Sequence, residues 1–143
     1  MTNEPGIESA FDMGALSTRM GMKILEARPG RVVATMPVEG NTQPYGTLHG
    51  GASAALAESV GSIAAWLHGG PDSAPVGLDL SCTHHRAVSS GRVTGVATPL
   101  SEGRTVASYD IRITDDAGRL VSTARLTCLI QTPAKAGPEA TTE

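Results

Sequence analysis

The chain has 143 residues, of which 40% are hydrophobic and 17% charged, and it carries a net charge of −3. That length suits a single domain with its own core, and the composition is that of an ordered chain. No basic block interleaved with aromatics is present, which argues against nucleic-acid binding, and no apolar run is long enough to span a bilayer.

The first ten residues, "MTNEPGIESA", lack a basic segment followed by an apolar one, so no signal peptide is indicated and a cytoplasmic location is expected. Residues 1–143 read as one domain, with an ordered core over about 8–131 and polar, mobile tails. Residues 8–20 suggest a short amphipathic helix anchored by Phe11, Leu16 and Met20. "MKILEARPGRVVATMPV" reads as two strands turning at Pro29 and Gly30. A loop rich in chain breakers, "EGNTQPYGTLHGG", leads into a helix from about 50 to 67.

Four strands follow, roughly 75–84, 91–99, 104–114 and 119–131. In the first, Val76, Leu78, Leu80 and Cys82 alternate with a more polar set. In the last, Leu120, Ser122, Ala124, Leu126, Cys128 and Ile130 do the same. "SSG" at 89–91 and "DDAGR" at 115–119 read as hairpin turns. Two strands, one long helix and four strands make an α+β fold, an antiparallel sheet with one central helix packed on it. Aromatic residues are only 3%, so the core must be built from Val, Leu, Ile and Ala. Cys82 and Cys128 lack metal spacing and a redox CxxC, and read as reduced core thiols; the sequence leaves a disulfide open.

The long helix, "HGGASAALAESVGSIAAW", is almost wholly Gly, Ala, Ser and aliphatic, yet carries one carboxylate, Glu58. A helix that is small or apolar all round is a buried one, and a lone carboxylate inside it is costly to ionise. The bland reading places Glu58 at a rim, solvated or paired with an arginine. The sharper one makes it a catalytic carboxylate, since acid–base and nucleophilic chemistry concentrates in such surroundings. Gly50 and Gly51 leave N–H groups bare at the helix start, where the first donors have no internal partner and the dipole favours an anion. Donors for an oxyanion together with a carboxylate point to acyl chemistry. Gly50 and Glu58 stand about 12 Å apart along the axis. One small carbonyl does not span that, so a site built from the helix end of one subunit and Glu58 of another fits better.

Ser62 lies one turn beyond Glu58 on the same face and can bond the carboxylate or a water, or simply pack. Gln43 precedes the helix and can reach a substrate carbonyl, although a loop Gln is usually just solvated. His49 at the helix start is more often a backbone-bonding residue than a base.

"GTLHGGASAALAESVGS", extended by "THHRAVSSGRV" and "DDAGRLVSTARL", resembles the hotdog-fold acyl-CoA thioesterases. The branch is that of the phenylacetic-acid-degradation, 4-hydroxybenzoyl-CoA, enterobactin-proofreading and 1,4-dihydroxy-2-naphthoyl-CoA thioesterases. The likeness runs over about residues 10–131. It implies a six-stranded antiparallel sheet wrapped around the helix. It also implies a homodimer with shared active sites, paired further into a tetramer.

By position, the resemblance makes Glu58 the nucleophile or general base. Gly50, with Gly51 beside it, becomes the donor to the thioester carbonyl, and Gln43 a further carbonyl contact. It makes His49 an aid to the leaving group and Ser62 a holder of the attacking water. It puts His84 near the acyl pocket, and His85, Arg86 and the segment Ser101, Gly103, Arg104 and Thr105 against pantetheine and the CoA phosphates. Pro44 and Tyr45 fill a pair that varies in the family. No metal or resident cofactor is implied, since coenzyme A belongs to the substrate. CoA is strongly anionic and the chain acidic, so binding needs a local basic cluster; Arg86, Arg92 and Arg104 near strand ends are candidates.

The expected activity is hydrolysis of an acyl-CoA thioester with an aromatic acyl group. Medium-chain aliphatic acyl-CoA and aryl carrier-protein thioesters are the alternatives. A hotdog hydratase or dehydratase is disfavoured because "HGGASAALAE" lacks the prolines and phenylalanine of "HFPGxPxxPG". A non-catalytic acyl-CoA sensor is disfavoured because too few residues precede the first strand for a DNA-binding domain, and because Glu58 is retained.

Overall fold

The computed structural model describes residues 12–132. Phe11, the part of the expected helix before residue 12, and the tail beyond 132 lie outside them; within the expected span, Asp12 and Met13 are not helical. A short helix α1 (Gly14–Arg19) is followed by β1 (Lys23–Arg28), β2 (Arg31–Pro37), the long helix α2 (Gly50–Gly69), β3 (Val76–His84), β4 (Arg92–Glu102), β5 (Val106–Asp115) and β6 (Leu120–Leu129). The six strands form one antiparallel sheet in the order β1-β2-β4-β5-β6-β3, and α2 packs against it, the hotdog arrangement.

The inner face of α2 carries Ala52, Ser53, Leu56, Ala57, Val60, Gly61, Ala64 and Ala65, all buried. Small residues there let the helix lie close to the sheet. A Cβ placed on Gly61 would come within 2.5 Å of Leu126 Cδ2, so that contact requires glycine. The sheet contributes Val32, Met36, Val93, Tyr109, Ile111, Ile113 and Leu126 to the same core.

The sheet order changes three sequence expectations. The turn at 89–91 joins β3 to β4, which are not neighbours, so it is a crossover rather than a hairpin. Leu16 does not anchor α1, being 62% exposed, whereas Met20 does pack against the core. The alternation in β3 does not mark one buried face. A register shift falls between Gly77 and Asp79, Val76 and Leu78 are exposed, and only Leu80 and Cys82 pack against the core. The cause is position, since β3 is an edge strand with one side unpaired. The two thiols are free, with Cys82 opposite Ala124 and Cys128 opposite Gly77. Burial, then the charge of Glu58, pushes the Cys128 thiol up to about 11.

The β5–β6 turn is held by Asp115. Its carboxylate accepts the N–H groups of Arg119 at 2.9 Å and Ala117 at 3.0 Å, and pairs with Arg119 Nε at 2.8 Å. The Arg119 N–H is the main cause that holds the carboxyl below its ordinary value.

Two outcomes follow from these contacts. Gly61→Ala should destabilise the fold by about 1–3 kcal/mol in urea unfolding, because overpacking against Leu126 outweighs alanine's better helix propensity. The Asp115 contribution is complete above the unfolded-chain carboxyl value of about 3.9 and is lost as pH falls through the lower folded value. Wild type should therefore lose its stability advantage over Asp115→Asn in acid, measured as the gap between their unfolding midpoints at pH 6 and below pH 3.

Candidate active site

Two cavities flank α2. The first, of about 590 Å³, is lined by Asp12, Met13, Glu58, Ser59, Ser62, Ile63, Trp66, Ala74 and Pro75. Along α2 these positions recur at helical spacing, so Glu58, Ser62 and Trp66 share a face beside the one packed on the sheet. Contrary to the expectation of a helix buried on all sides, this face is open and Glu58 is exposed in the single chain. The carboxylate lies over the edge strand, where a Cβ on Gly77 would stand 2.6 Å from Glu58 Oε1. Trp66, Ile63 and Pro75 give this cavity an apolar wall.

The second cavity, about 370 Å³, lies at the other end of the helix. Gln43, Thr47, Leu48, Gly50, Ser53, His84, His85, Arg86, Ala87 and Val121 line it. The loop before α2 is fixed by backbone bonds from Gln43 N–H to Thr47 O at 2.8 Å and from His49 N–H to Asn41 O at 2.9 Å. Gln43 Nε2 donates to Thr47 Oγ1 at 2.6 Å, which orients its amide.

The helix start differs from expectation in one respect. His49 is the N-cap, and its Nδ1 accepts the Gly51 N–H at 2.8 Å. The Ala52 and Ser53 N–H groups reach His49 O at 2.9 and 3.3 Å. Gly51 is therefore not a bare donor, and His49 lines neither of these cavities. Of the first-turn donors, the Gly50 N–H has no acceptor among the described residues. The His84 ring packs closely on Gly50, where a Cβ would lie 2.9 Å from His84 Nε2 and push the ring aside.

Helix α2 thus separates the sequence candidates into two groups. Gln43, Gly50, His84, His85 and Arg86 meet around one cavity; Glu58 and Ser62 meet at the other. Ser101, Gly103, Arg104 and Thr105 belong to the β4–β5 hairpin and line neither. That hairpin is tied to the end of α2, where His68 Nε2 bonds Gly103 O at 2.7 Å. Tyr109 donates to Glu102 Oε2 at 2.9 Å, beside His68 Nδ1 at 3.5 Å. Burial, then Glu102, pushes the Tyr109 phenol up.

Arg86, Arg92 and Arg104 do not form one cluster within the chain. Arg92 begins β4 and Arg104 lies beyond its end, about 33 Å away along an extended strand. Arg92 Nε instead donates to Thr35 Oγ1 at 3.2 Å.

Two contributors were not singled out from the sequence. Trp66, the chain's one tryptophan, walls the Glu58 cavity. Ser122 is wholly buried and bonds His84 Nδ1 at 3.0 Å. The signal for it was a hydroxyl within the otherwise apolar β6 series.

An unsatisfied helix N-terminal donor beside a Gln and a His, with a separate carboxylate in a part-apolar cavity, is equipment for polarising and attacking a carbonyl. Comparison with known proteins agrees. Residues 45–122 match the family model described as the thioesterase superfamily. A proofreading thioesterase, EntH, from Cronobacter sakazakii is 47% identical over 119 residues, covering 82% of each chain. The structure of a mutant thioesterase from Pseudomonas aeruginosa superposes with a TM-score of 0.84 at 35% identity, covering 93% of this chain and 97% of that one. A hypothetical thioesterase protein from Streptococcus pneumoniae, solved with coenzyme A, gives a TM-score of 0.74 at 25% identity, with 85% and 94% covered. The chain belongs to the thioesterase superfamily, and it is a thioester hydrolase of the hotdog fold.

The packing of His84 on Gly50 gives a direct test. Gly50→Ala should keep the fold, with an unfolding midpoint within a few degrees of wild type. It should lower turnover about tenfold or more by displacing the ring beside the donor. Steady-state kinetics and thermal unfolding on the same preparation check both halves.

Proposed function

We propose that the protein hydrolyses an acyl-CoA thioester with an aromatic acyl group, in active sites shared between two subunits. The observation that carries this reading is the separation of Glu58 from Gly50 and His84 on opposite reaches of α2. It is supported by the unpaired edge of β3, which runs past both groups.

Strand β3 has its midpoint at Leu80. If two copies pair antiparallel about a two-fold axis there, residue 77 of one stands opposite residue 83 of the other. Glu58 lies over Gly77, and His84 follows Thr83. The pairing brings the carboxylate of one subunit to the Gly50 cavity of its partner. It also covers Val76 and Leu78, the exposed apolar residues of the edge. Oligomers are common among hotdog proteins, and a pair of such dimers gives the expected tetramer.

In the shared site the Gly50 N–H, with Gln43 beside it, polarises the thioester carbonyl. Glu58 of the partner subunit either attacks that carbonyl or takes a proton from the attacking water, which Ser62 of the partner subunit helps hold. Charge that develops on the carbonyl oxygen meets a donor already oriented by the helix. The C–S bond of the tetrahedral species then breaks. On the general-base route the proton Glu58 took passes to the CoA sulfur; on the nucleophilic route water hydrolyses the acyl–Glu58 anhydride and supplies the acid's oxygen and the thiol's proton. His49 caps the helix start and so acts on the leaving group only through that geometry.

The acyl group lies in the Glu58 cavity, where the flat side chain of Trp66, with Ile63, Met13 and Pro75, offers a ring-sized apolar wall. Arg86 at the Gly50 cavity, and Arg104 with Ser101, Gly103 and Thr105 on the β4–β5 hairpin, receive pantetheine and phosphates. Coenzyme A belongs to the substrate, and no metal or resident cofactor enters the chemistry.

A thiol-release assay over aromatic and aliphatic acyl-CoAs tests this. Wild type should favour an aromatic acyl group, and folded Glu58→Gln should lose about 100-fold or more in kcat/KM. Equal rates from both proteins would remove Glu58 from the chemistry. A preference for medium-chain aliphatic or carrier-protein thioesters would reassign the substrate.

A further inference from the structure

Ser122 has a buried hydroxyl that the reading above leaves unused. It sits on β6 with no solvent exposure and lies opposite His84 in the β3–β6 register. Its oxygen is 3.0 Å from His84 Nδ1, and Cys82 stands two residues before His84 on the same strand.

The hydroxyl has one proton to give, and a buried donor left without an acceptor is costly. The one side-chain hydrogen bond this hydroxyl makes is to the imidazole nitrogen, a good acceptor. The proton therefore goes to His84 Nδ1. With the proton on this bond, both the hydroxyl and Nδ1 are satisfied. Reversed, with Nδ1–H donating to Ser122, the buried hydroxyl would have no side-chain acceptor among the described residues.

A neutral imidazole that accepts at Nδ1 carries its proton on Nε2. Nε2 is the atom packed against Gly50, 2.9 Å from where a Cβ would stand, and both residues line one cavity. We propose that His84 Nε2–H is a further oxyanion donor beside the Gly50 N–H, and that Ser122 is the positioning residue that fixes its tautomer. His84 at the end of β3 then joins the Gly50 N–H at the start of α2, and Gln43 before it, at the carbonyl oxygen. The inference rests on the acyl-CoA hydrolase reading and adds a role for His84 beyond a wall of the acyl pocket.

The test pairs ¹⁵N spectra of histidine-labelled wild type with the kinetics of two variants. The neutral His84 ring should show a protonated Nε2 and a bare Nδ1. Ser122→Ala should lose about tenfold in kcat with KM within about twofold, less than the roughly 100-fold expected when an oxyanion donor is removed outright. Ser122→Thr, which restores the hydroxyl, should recover most of that loss. A protonated Nδ1 in active wild type would overturn the proposal, as would an unchanged kcat in Ser122→Ala. If Ser122→Ala fails to fold, the wild-type spectrum decides alone. Wild type that releases no thiol from any acyl-CoA would instead overturn the substrate reading, and with it the role given to His84.

Discussion

Helix α2 lies on the sheet at a distance set by its small inner residues, and the site is built from that constraint. Ala52, Ala57, Gly61, Ala64 and Ala65 bring the helix close enough for Leu126 to fill the space at Gly61. A helix held this tightly cannot tilt or slide to bring its ends together. The donor at Gly50 and the carboxylate of Glu58, eight residues on, stay about 12 Å apart. On the proposed mechanism neither group does acyl chemistry alone, so the same packing that makes the core stable would leave a single chain with two half-sites.

The sheet order resolves this. β3 is drawn to the edge beside β6, and its outer side carries unpaired backbone groups together with exposed Val76 and Leu78. An edge of that kind favours another strand. In the proposed dimer the added strand is the partner's β3, and the pairing that buries the edge also joins the half-sites. Stability and catalysis then share one interface, so a subunit that fails to pair loses both. The two proposed donors sit on rigid elements, a helix start capped by His49 and a strand end anchored through Ser122, which suits groups that must be oriented before charge develops.

Much of the fold was legible in the sequence because local chemistry dictates it. Pro29 and Gly30 turn β1 into β2, "DDAGR" closes the β5–β6 hairpin, and the Gly and Ala content of α2 announces close packing. The elements expected from periodicity agree with those observed, including the start of α2 at Gly50. What stayed hidden depends on which strands become neighbours. Periodicity assigned β3 a buried face, but burial there depends on what covers an edge. The turn at 89–91 looked like a hairpin because its residues are turn formers, whatever the distance between the strands it joins. Arg86, Arg92 and Arg104 all fall near strand ends, yet an eleven-residue strand separates the latter two. His49 could be read as a cap, but its occupation of the Gly51 N–H needed the ring's position. Ser122 is a hydroxyl in an apolar series, but nothing local marks it, since its partner His84 is 38 residues away.

The most direct test of a site shared across β3 is subunit complementation. Glu58→Gln and Gly50→Val should each be inactive as homo-oligomers, one lacking the carboxylate and the other a clear donor. Mixed after co-expression, a hybrid dimer holds one site with both defects and one with neither. Statistical mixing should therefore restore about a quarter of wild-type turnover per site. Recovery near that level would establish that Glu58 and Gly50 act from different subunits. No recovery, with hybrid dimers shown to form by mass spectrometry, would mean that each chain completes its own site.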